Sequence, residues 1–328
     1  MRGGRSTLGA FTAMVAIALA CGAPAVAQEK YPDKPITFIV AWPAGGGSDV
    51  SMRLVADAAS KKLGTSVVVV NKPGAGGALG HKDIASARPD GYTIGMFSNG
   101  GIAAQYNNPN ANTIDELQPI AFFGEDPGAI SARVETGFKT VPDLITAAKA
   151  SPGRIKNGND QPGGSSFIAI AVYEKAFGIK VTRVPYQGFA PTVVGLLSGE
   201  VDVATVPVPD IIEHHKSGKA RILGVAATER HFMAPDVPTF KEQGLDVLYG
   251  SWRSIAGPRG TPADRLKFLE AKFLETLRDP EFVARAKAAG FAVAPLGIDD
   301  TWKRWKADDV AYYPILKEAG LVKVREKN

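Results

Sequence analysis

Ile36-Thr37-Phe38-Ile39-Val40-Ala41-Trp42-Pro43-Ala44-Gly45-Gly46-Gly47-Ser48-Asp49 leads into Val50, Leu54, Val55, Ala58 and Ala59 at helical spacing. An apolar, partly β-branched run, a glycine loop and an amphipathic stretch read as strand, loop and helix. Gly64 closes that helix, and the continuous apolar run from Ser66 to Val70 suits a strand buried on both faces. The unit is βαβ with parallel pairing. It sets the fold class, because strands alternating with helical stretches bury their apolar faces in α/β layers.

Working outward, the same alternation recurs. A helix over 78–87 is followed by a turn at Pro89-Asp90-Gly91, a strand over 92–97 and a loop at Ser98-Asn99-Gly100-Gly101. Strands over 120–123 and 129–134 flank Asp126-Pro127-Gly128, and a helix over 141–150 ends at Ser151-Pro152-Gly153. Then Asn157-Gly158-Asn159-Asp160-Gln161-Pro162-Gly163-Gly164-Ser165-Ser166 runs into an apolar helix from Phe167, echoing the first glycine loop in the second half. Strands over 181–184, 201–206 and 221–226 alternate with helices over 191–197 and 210–216. The chain from Pro262 reads as helical, with a strand-like break over 291–295. Two α/β lobes with a cleft between them follow.

At 328 residues the chain has room for two domains. With 45% hydrophobic and 22% charged residues its composition is that of a globular protein. Arg2 and Arg5 precede an uncharged run over 8–20, and Ala25-Val26-Ala27 follows. That is the pattern of an export leader cleaved near residue 27, too short to span a bilayer. Cys21 as the lipidated first residue of a lipoprotein is the competing reading, disfavoured by its Ala18-Leu19-Ala20 lead-in. Cys21 is the only cysteine, so without the leader the chain has no disulfide and no thiol chemistry.

Two glycine loops, each feeding a helix N-terminus, are ready anion cradles, because the first turn of a helix leaves backbone N–H groups unpaired at its positive end. Gly45 to Ser48 and Gly163 to Ser166 would close around one anion or the two ends of a dianion. Taken singly, each loop is equally a plain tight turn. Asp49 and Ser48 serve as helix caps as readily as ligand contacts, and for Asp210 the cap is the safer reading. Trp42 and Tyr186 stand at strand ends, as pocket walls or as packing aromatics.

Catalytic signatures are missing. Gly74-Ala75-Gly76-Gly77-Ala78-Leu79 lacks the closing glycine of a dinucleotide fingerprint, and no phosphate-binding loop motif, nucleophile elbow or Ser-x-x-Lys occurs. No cofactor is expected. His81, His214, His215 and His231 lack metal-ligand spacing and read as solvated surface residues. Basic residues are scattered among acids without interleaved aromatics, so no nucleic-acid partner is expected.

A set of short motifs runs in order along the chain: Tyr31-Pro32, Lys34-Pro35-Ile36, Pro43 with Gly45-Gly46 and Asp49, Asn71-Lys72-Pro73-Gly74-Ala75-Gly76-Gly77, Pro89-Asp90-Gly91-Tyr92-Thr93, Val184-Pro185-Tyr186 with Gly188 and Ala190-Pro191, Gly199 with Val201-Asp202, Pro235-Asp236-Val237-Pro238-Thr239, and Gly257-Pro258 with Gly260-Thr261-Pro262. Together they resemble the Bug-type periplasmic substrate-binding proteins of tripartite tricarboxylate transporters. The resemblance implies a two-lobed type II periplasmic-binding-protein fold, each lobe a mixed sheet flanked by helices. It implies a monomer that closes on a small carboxylate and delivers it to membrane permease subunits.

Mapped residue by residue, the resemblance points to Trp42, Ala44, Gly46, Ser48 and Asp49, to Ser98 and Asn99, to Gly163, Gly164, Ser165 and Ser166, and to Tyr186, Gly188 and Asp210. The expected division is a leader over 1–27, a first lobe over 28–124 and 247–328, and a second over 125–246. Ala44 stands where a second proline is usual, Trp42 is larger than the usual aromatic, and 157–164 is longer and more acidic than the usual turn. Asp160 and Trp42 make an aromatic or amine-bearing ligand a reading to test. The alternatives are an exported hydrolase using Ser165 or Ser166, and a sensor that docks on a receptor.

Overall fold

The computed structural model describes residues 31–162 and 164–327. The leader, Cys21 and Gly163 lie outside the described residues. Strands β1 (Ile36–Val40), β2 (Val67–Asn71) and β3 (Thr93–Ser98) are joined by helices α1 (Gly47–Leu63) and α2 (Ala78–Ala85). β1 pairs in parallel with both β2 and β3, as the βαβ reading requires. Its residues are almost wholly buried, which is why the run is continuously apolar. β2 differs from expectation. It is an edge strand, and Val68 is 48% exposed because pairing and packing cover it on one side only.

Ser98-Asn99-Gly100-Gly101 is not a loop. It opens helix α3 (Asn99–Asn107), whose Gly101 lets the helix lie against Phe97 and His81. The two strands expected around Asp126 form one strand, β4 (Leu117–Arg133), that runs through the apparent turn signal. Asp126 is fully buried in an ion pair and Pro127 sits opposite Gly250, so both residues serve the strand instead of ending it.

Helix α4 (Val141–Ala150) starts at a Thr140/Asp143 capping box. Next come β5 (Lys156–Asp160), α5 (Ser165–Phe177), β6 (Thr182–Tyr186), α6 (Phe189–Ser198), β7 (Val203–Pro207), α7 (Val208–Lys216) and β8 (Ala220–Val225). β5 occupies a stretch expected to be loop. Asn157, Asn159 and Asp160 are inside the protein, where the Asn157 side-chain oxygen accepts from Thr205 Oγ1 at 3.0 Å. The sequence then adds β9 (Gly250–Pro258), a strand not anticipated, and helices α8 (Ala263–Leu277), α9 (Pro280–Ala288) and α10 (Ile298–Glu318). Residues 291–295 form no strand; they run extended beside β4, with Ala294 N donating to Phe123 O at 3.0 Å.

The strands follow the order β2-β1-β3-β9-β4-β7-β5-β6, with β8 also on β4. The first half of β4 pairs antiparallel with β9, and its second half pairs with β7 and β8. β4 and β9 therefore carry the chain from one half of the sheet system to the other. α8 and α9 pack on α1, and α10 packs on α3 and β4, around a cluster in which Phe97 and Trp305 ring centroids lie 4.5 Å apart.

Candidate functional site

The C-terminal ends of β1 and β3 and of β5 and β6 deliver the chain to one cavity of about 420 Å³, part of it open to solvent. Four helices begin at its wall: α1 with Gly46, Gly47 and Ser48, α3 with Ser98, α5 with Ser165, and α6 with Gly188 and Phe189. Trp42, Pro43, Phe189 and Pro191 supply an apolar side, and Gln187, Ala190 and Ser251 complete it along with Asp160. No Lys, Arg or His lines it among the described residues. The lining can attract an anion through helix ends and oriented N–H groups, not through a cationic side chain.

Of the residues expected at the site, Trp42, Gly46, Ser48, Ser98, Ser165 and Gly188 line this cavity. Ser166 lines an adjoining cavity of about 180 Å³ that shares Ser165, Phe189 and Ser251 with it. Others lie behind the wall. Asp49 is tied up: Gly45 N and Asn71 Nδ2 donate to it at 3.0 and 2.8 Å, and Arg53 pairs with it at 2.9 Å. Those bonds hold its carboxyl below the usual range despite the opposing effect of burial. Ala44 is exposed, and Asn99 donates through Nδ2 to Tyr249 Oη and Gly250 O, both at 2.9 Å.

Tyr186 packs over Gly158 and Gly195, away from the lining, where burial and then Glu200 push its hydroxyl up to about 12. Asp210 accepts from Gly47 N at 2.9 Å, a bond from α7 to the start of α1. It is a half-buried residue, but its Oδ2 is closed off from solvent, and burial raises the carboxyl to about 6 against the pull of Arg253.

Several lining residues escaped the sequence reading. Ser251 lies on the unanticipated β9, and Phe189 and Pro191 stand inside a quoted motif without having been assigned a role. Tyr249 ties the two halves together behind the cavity: it accepts from Asn99 and donates to Ser165 O at 2.9 Å. The histidine reading also needs correction. His81 and His231 are buried, at 1% and 4% exposure, and desolvation pulls His81 down to about 4. His81 lies edge-on to Phe97, with ring centroids 5.0 Å apart, so it is a core residue rather than a solvated one.

Asp160 is 1% exposed and sits at the N-terminus of α5. Its Oδ1 accepts from Phe167 N at 2.8 Å, and a Cβ on Gly164 would stand 2.1 Å from its Cγ, so glycine is required beside it. Burial raises its carboxyl to about 6, although the helix-end bonds pull the other way. The folded chain thus holds a proton that an unfolded aspartate releases above 3.8. Below that value the difference vanishes; above about 6 the ionised form is disfavoured in the fold by roughly 2–3 kcal/mol. Stability should therefore fall as pH rises between these values. In melting curves, the Tm of Asp160→Asn minus that of wild type should grow over this window and level off above it; a flat difference would refute the raised value.

A family model described as "Tripartite tricarboxylate transporter family receptor" matches residues 51–321. A UPF0065 protein of Agrobacterium vitis, from the TAR-I ttuE-ttuC' intergenic region, is 32% identical over 305 residues, 90% of this chain and 87% of the relative. Protein BugT of Bordetella pertussis is 29% identical over 322 residues, 96% of this chain and 97% of its own. Among solved structures, periplasmic binding protein BugD superposes with a TM-score of 0.83 at 29% identity, covering 89% of this chain and 99% of that one. The fold is the mixed α/β, two-lobed type of those binding proteins. The family model spans most of the chain, and the chain is a member of the tripartite tricarboxylate transporter receptor family.

Proposed function

We propose that this chain is the extracytoplasmic receptor for a small carboxylate, exported by its leader over 1–27, acting as a monomer and handing its ligand to membrane permease subunits. The lobes would be residues 28–124 with 247–328, and residues 125–246, hinged where β4 and β9 run between them. One observation carries the reading: four helix N-termini meet at a cavity with no cationic side chain among the described residues. Such a site binds an anion through N–H groups and hydroxyls, which suits reversible capture. Among the described residues no helix is long and apolar enough to cross a membrane, consistent with a receptor that works beside its transporter.

Ser165 and Ser166, the nucleophile candidates of the hydrolase alternative, have other partners. Ser165 Oγ lies 3.4 Å from Tyr249 Oη, and Ser166 Oγ accepts from Asp160 N at 2.8 Å. Among the described residues no histidine lines either cavity. The test is a thermal-shift panel of mono-, di- and tricarboxylates, amino acids and aromatic acids on residues 28–328 stripped of co-purified ligand. Ligand at 100 times its Kd adds about 2.7 kcal/mol to stability, a rise of roughly 5–10 °C for a chain of this size. A saturable rise within one acid class is the expected result, and no rise with any carboxylate would overturn the proposal.

A further inference from the structure

The two cradles are not equivalent. At α1, Gly47 N is taken by Asp210, which leaves the N–H groups of Ser48 and Asp49 as the donors of that turn, with the Ser48 hydroxyl beside them. At α5 the cradle is already filled, because the Asp160 carboxylate accepts from Phe167 N and lies against Gly164. The protein's own anion stands where the second carboxylate of a dianion would go. No cationic side chain in the lining offsets it, since Asp160 is the one charged residue there among the described residues. Arg253, 1% exposed in the core, pairs with Asp126 through Nη1 only; its Nη2 has no partner among the described residues and lies 3.2 Å from where a Cβ on Gly47 would stand, so its charge favours the α1 end and not the Asp160 end.

A second observation places the ligand's charge at the other end. Ser98, 3% exposed, is a lining residue, and its buried Oγ has no hydrogen-bond partner among the described residues. A buried donor of that kind is costly to leave unpaired and is satisfied by an acceptor in the cavity. The rest of the wall, Trp42, Pro43, Phe189 and Pro191, is apolar.

We infer that the cleft selects monocarboxylates: one carboxylate at the α1 end near Ser48 and Ser98, an apolar or aromatic body against Trp42 and Phe189, and a neutral or hydrogen-bond-donating end toward Asp160. This rests on the carboxylate-receptor reading and narrows it. A second carboxylate would meet a like charge beside the buried Asp160, where such repulsion is worth about tenfold or more in affinity.

The test titrates matched acids by calorimetry at about pH 8, above the raised Asp160 value of about 6, so that its carboxyl is ionised. Hexanoate and 6-aminohexanoate are set against adipate, 4-hydroxybenzoate against terephthalate, and any monocarboxylate active in the thermal panel against its analogue bearing a second terminal carboxylate. Wild type should favour the monocarboxylate of a pair by at least about tenfold, and Asp160→Asn should shrink that ratio by about the same factor. Asp160→Ser, which also vacates the helix end, should shrink it further. Dicarboxylates that bind wild type as tightly as their partners, or a ratio unmoved by both variants, would overturn the inference and leave the receptor reading standing. The wild-type ratio alone decides if a variant does not fold. A panel in which no carboxylate binds would instead remove the receptor reading, and this inference with it.

Discussion

Replacing Gly76 with alanine should weaken carboxylate binding about 100-fold while lowering the melting temperature of the unliganded chain by only a few degrees. Gly76 lies between β2 and α2, and Pro162 lies between β5 and α5, so their contact joins the two halves of the chain. A Cβ at residue 76 would stand 2.3 Å from the Pro162 carbonyl oxygen, a backbone atom that cannot swing aside. Gly76 N also donates to Gln161 Oε1 at 3.3 Å. The halves would have to part by more than half an ångström to make room, breaking that bond.

A ligand held between two lobes binds the closed state, and its apparent Kd rises by the factor by which that state is depopulated. A clash of roughly 3 kcal/mol therefore reads as about 100-fold. The φ of Gly76, +66°, adds a local cost of about 1–2 kcal/mol to any L residue there, which accounts for the small loss in the unliganded chain. Calorimetry with the best acid from the thermal panel measures the first effect and melting the second. An affinity within threefold of wild type would mean that the Gly76 contact with Pro162 is not part of the liganded state.

Much of the fold was legible because burial and periodicity agree along most of the chain. Ile36 to Val40 is apolar at every position but one because the strand lies in the sheet interior, and the helices that follow keep their apolar stripes. The failures share a cause. β5 is strand although it reads Lys-Asn-Gly-Asn-Asp, because its buried amides bond to side chains and to backbone that local sequence does not show. β9 went unseen because Ser251, Arg253 and Ser254 are buried polar residues, which break the apolar run that marks a central strand. Asp126-Pro127-Gly128 carries the composition of a turn, but a partner from residue 253 makes it the interior of a strand.

The site followed the same rule. Glycine loops at helix starts are local signals and placed Gly46, Ser48, Ser165 and Gly188 on the lining. Whether an aspartate caps, latches or faces a ligand depends on who stands opposite. Asp49 and Asp160 occur in or beside such loops and Asp210 in the first turn of α7, yet the first staples its own loop, the second fills a cradle and the third reaches across to Gly47. Only the tertiary partner distinguishes them.

Arg253→Met should cost about 3–5 kcal/mol of folding stability, the largest effect expected of a single substitution away from the lining. Arg253 lies on β9 between β3 and β4, opposite Ser98 on one side and Gly124 on the other, where the two halves of the sheet system meet. It is 1% exposed and its Nη1 donates to Asp126 Oδ2, while Asp126 is 0% exposed. Asp126 Oδ1 has one further contact, Ala292 N at 3.4 Å, so the guanidinium is its principal partner. Taking the charge away leaves a carboxylate in the core with nothing to balance it, and the cost is that of an uncompensated buried ion rather than of a lost contact.

Removal of both members is different, because an apolar pair of similar volume restores a neutral core. Asp126→Leu with Arg253→Met should recover most of the loss, and the shortfall from additivity measures the coupling. At about 2–4 °C per kcal/mol, the single change lowers the melting temperature by on the order of 10 °C. The same arginine pulls the Asp210 carboxyl down against burial, so its loss should raise that group further. A neutral Asp210 accepts from Gly47 N more weakly than an ionised one, which loosens the link from α7 to α1 and carries the effect into ligand affinity. Urea unfolding of the single and double variants decides the matter: a loss below about 1 kcal/mol for Arg253→Met, or additive losses in the double variant, would show that the buried pair does not hold the junction of the two sheets together.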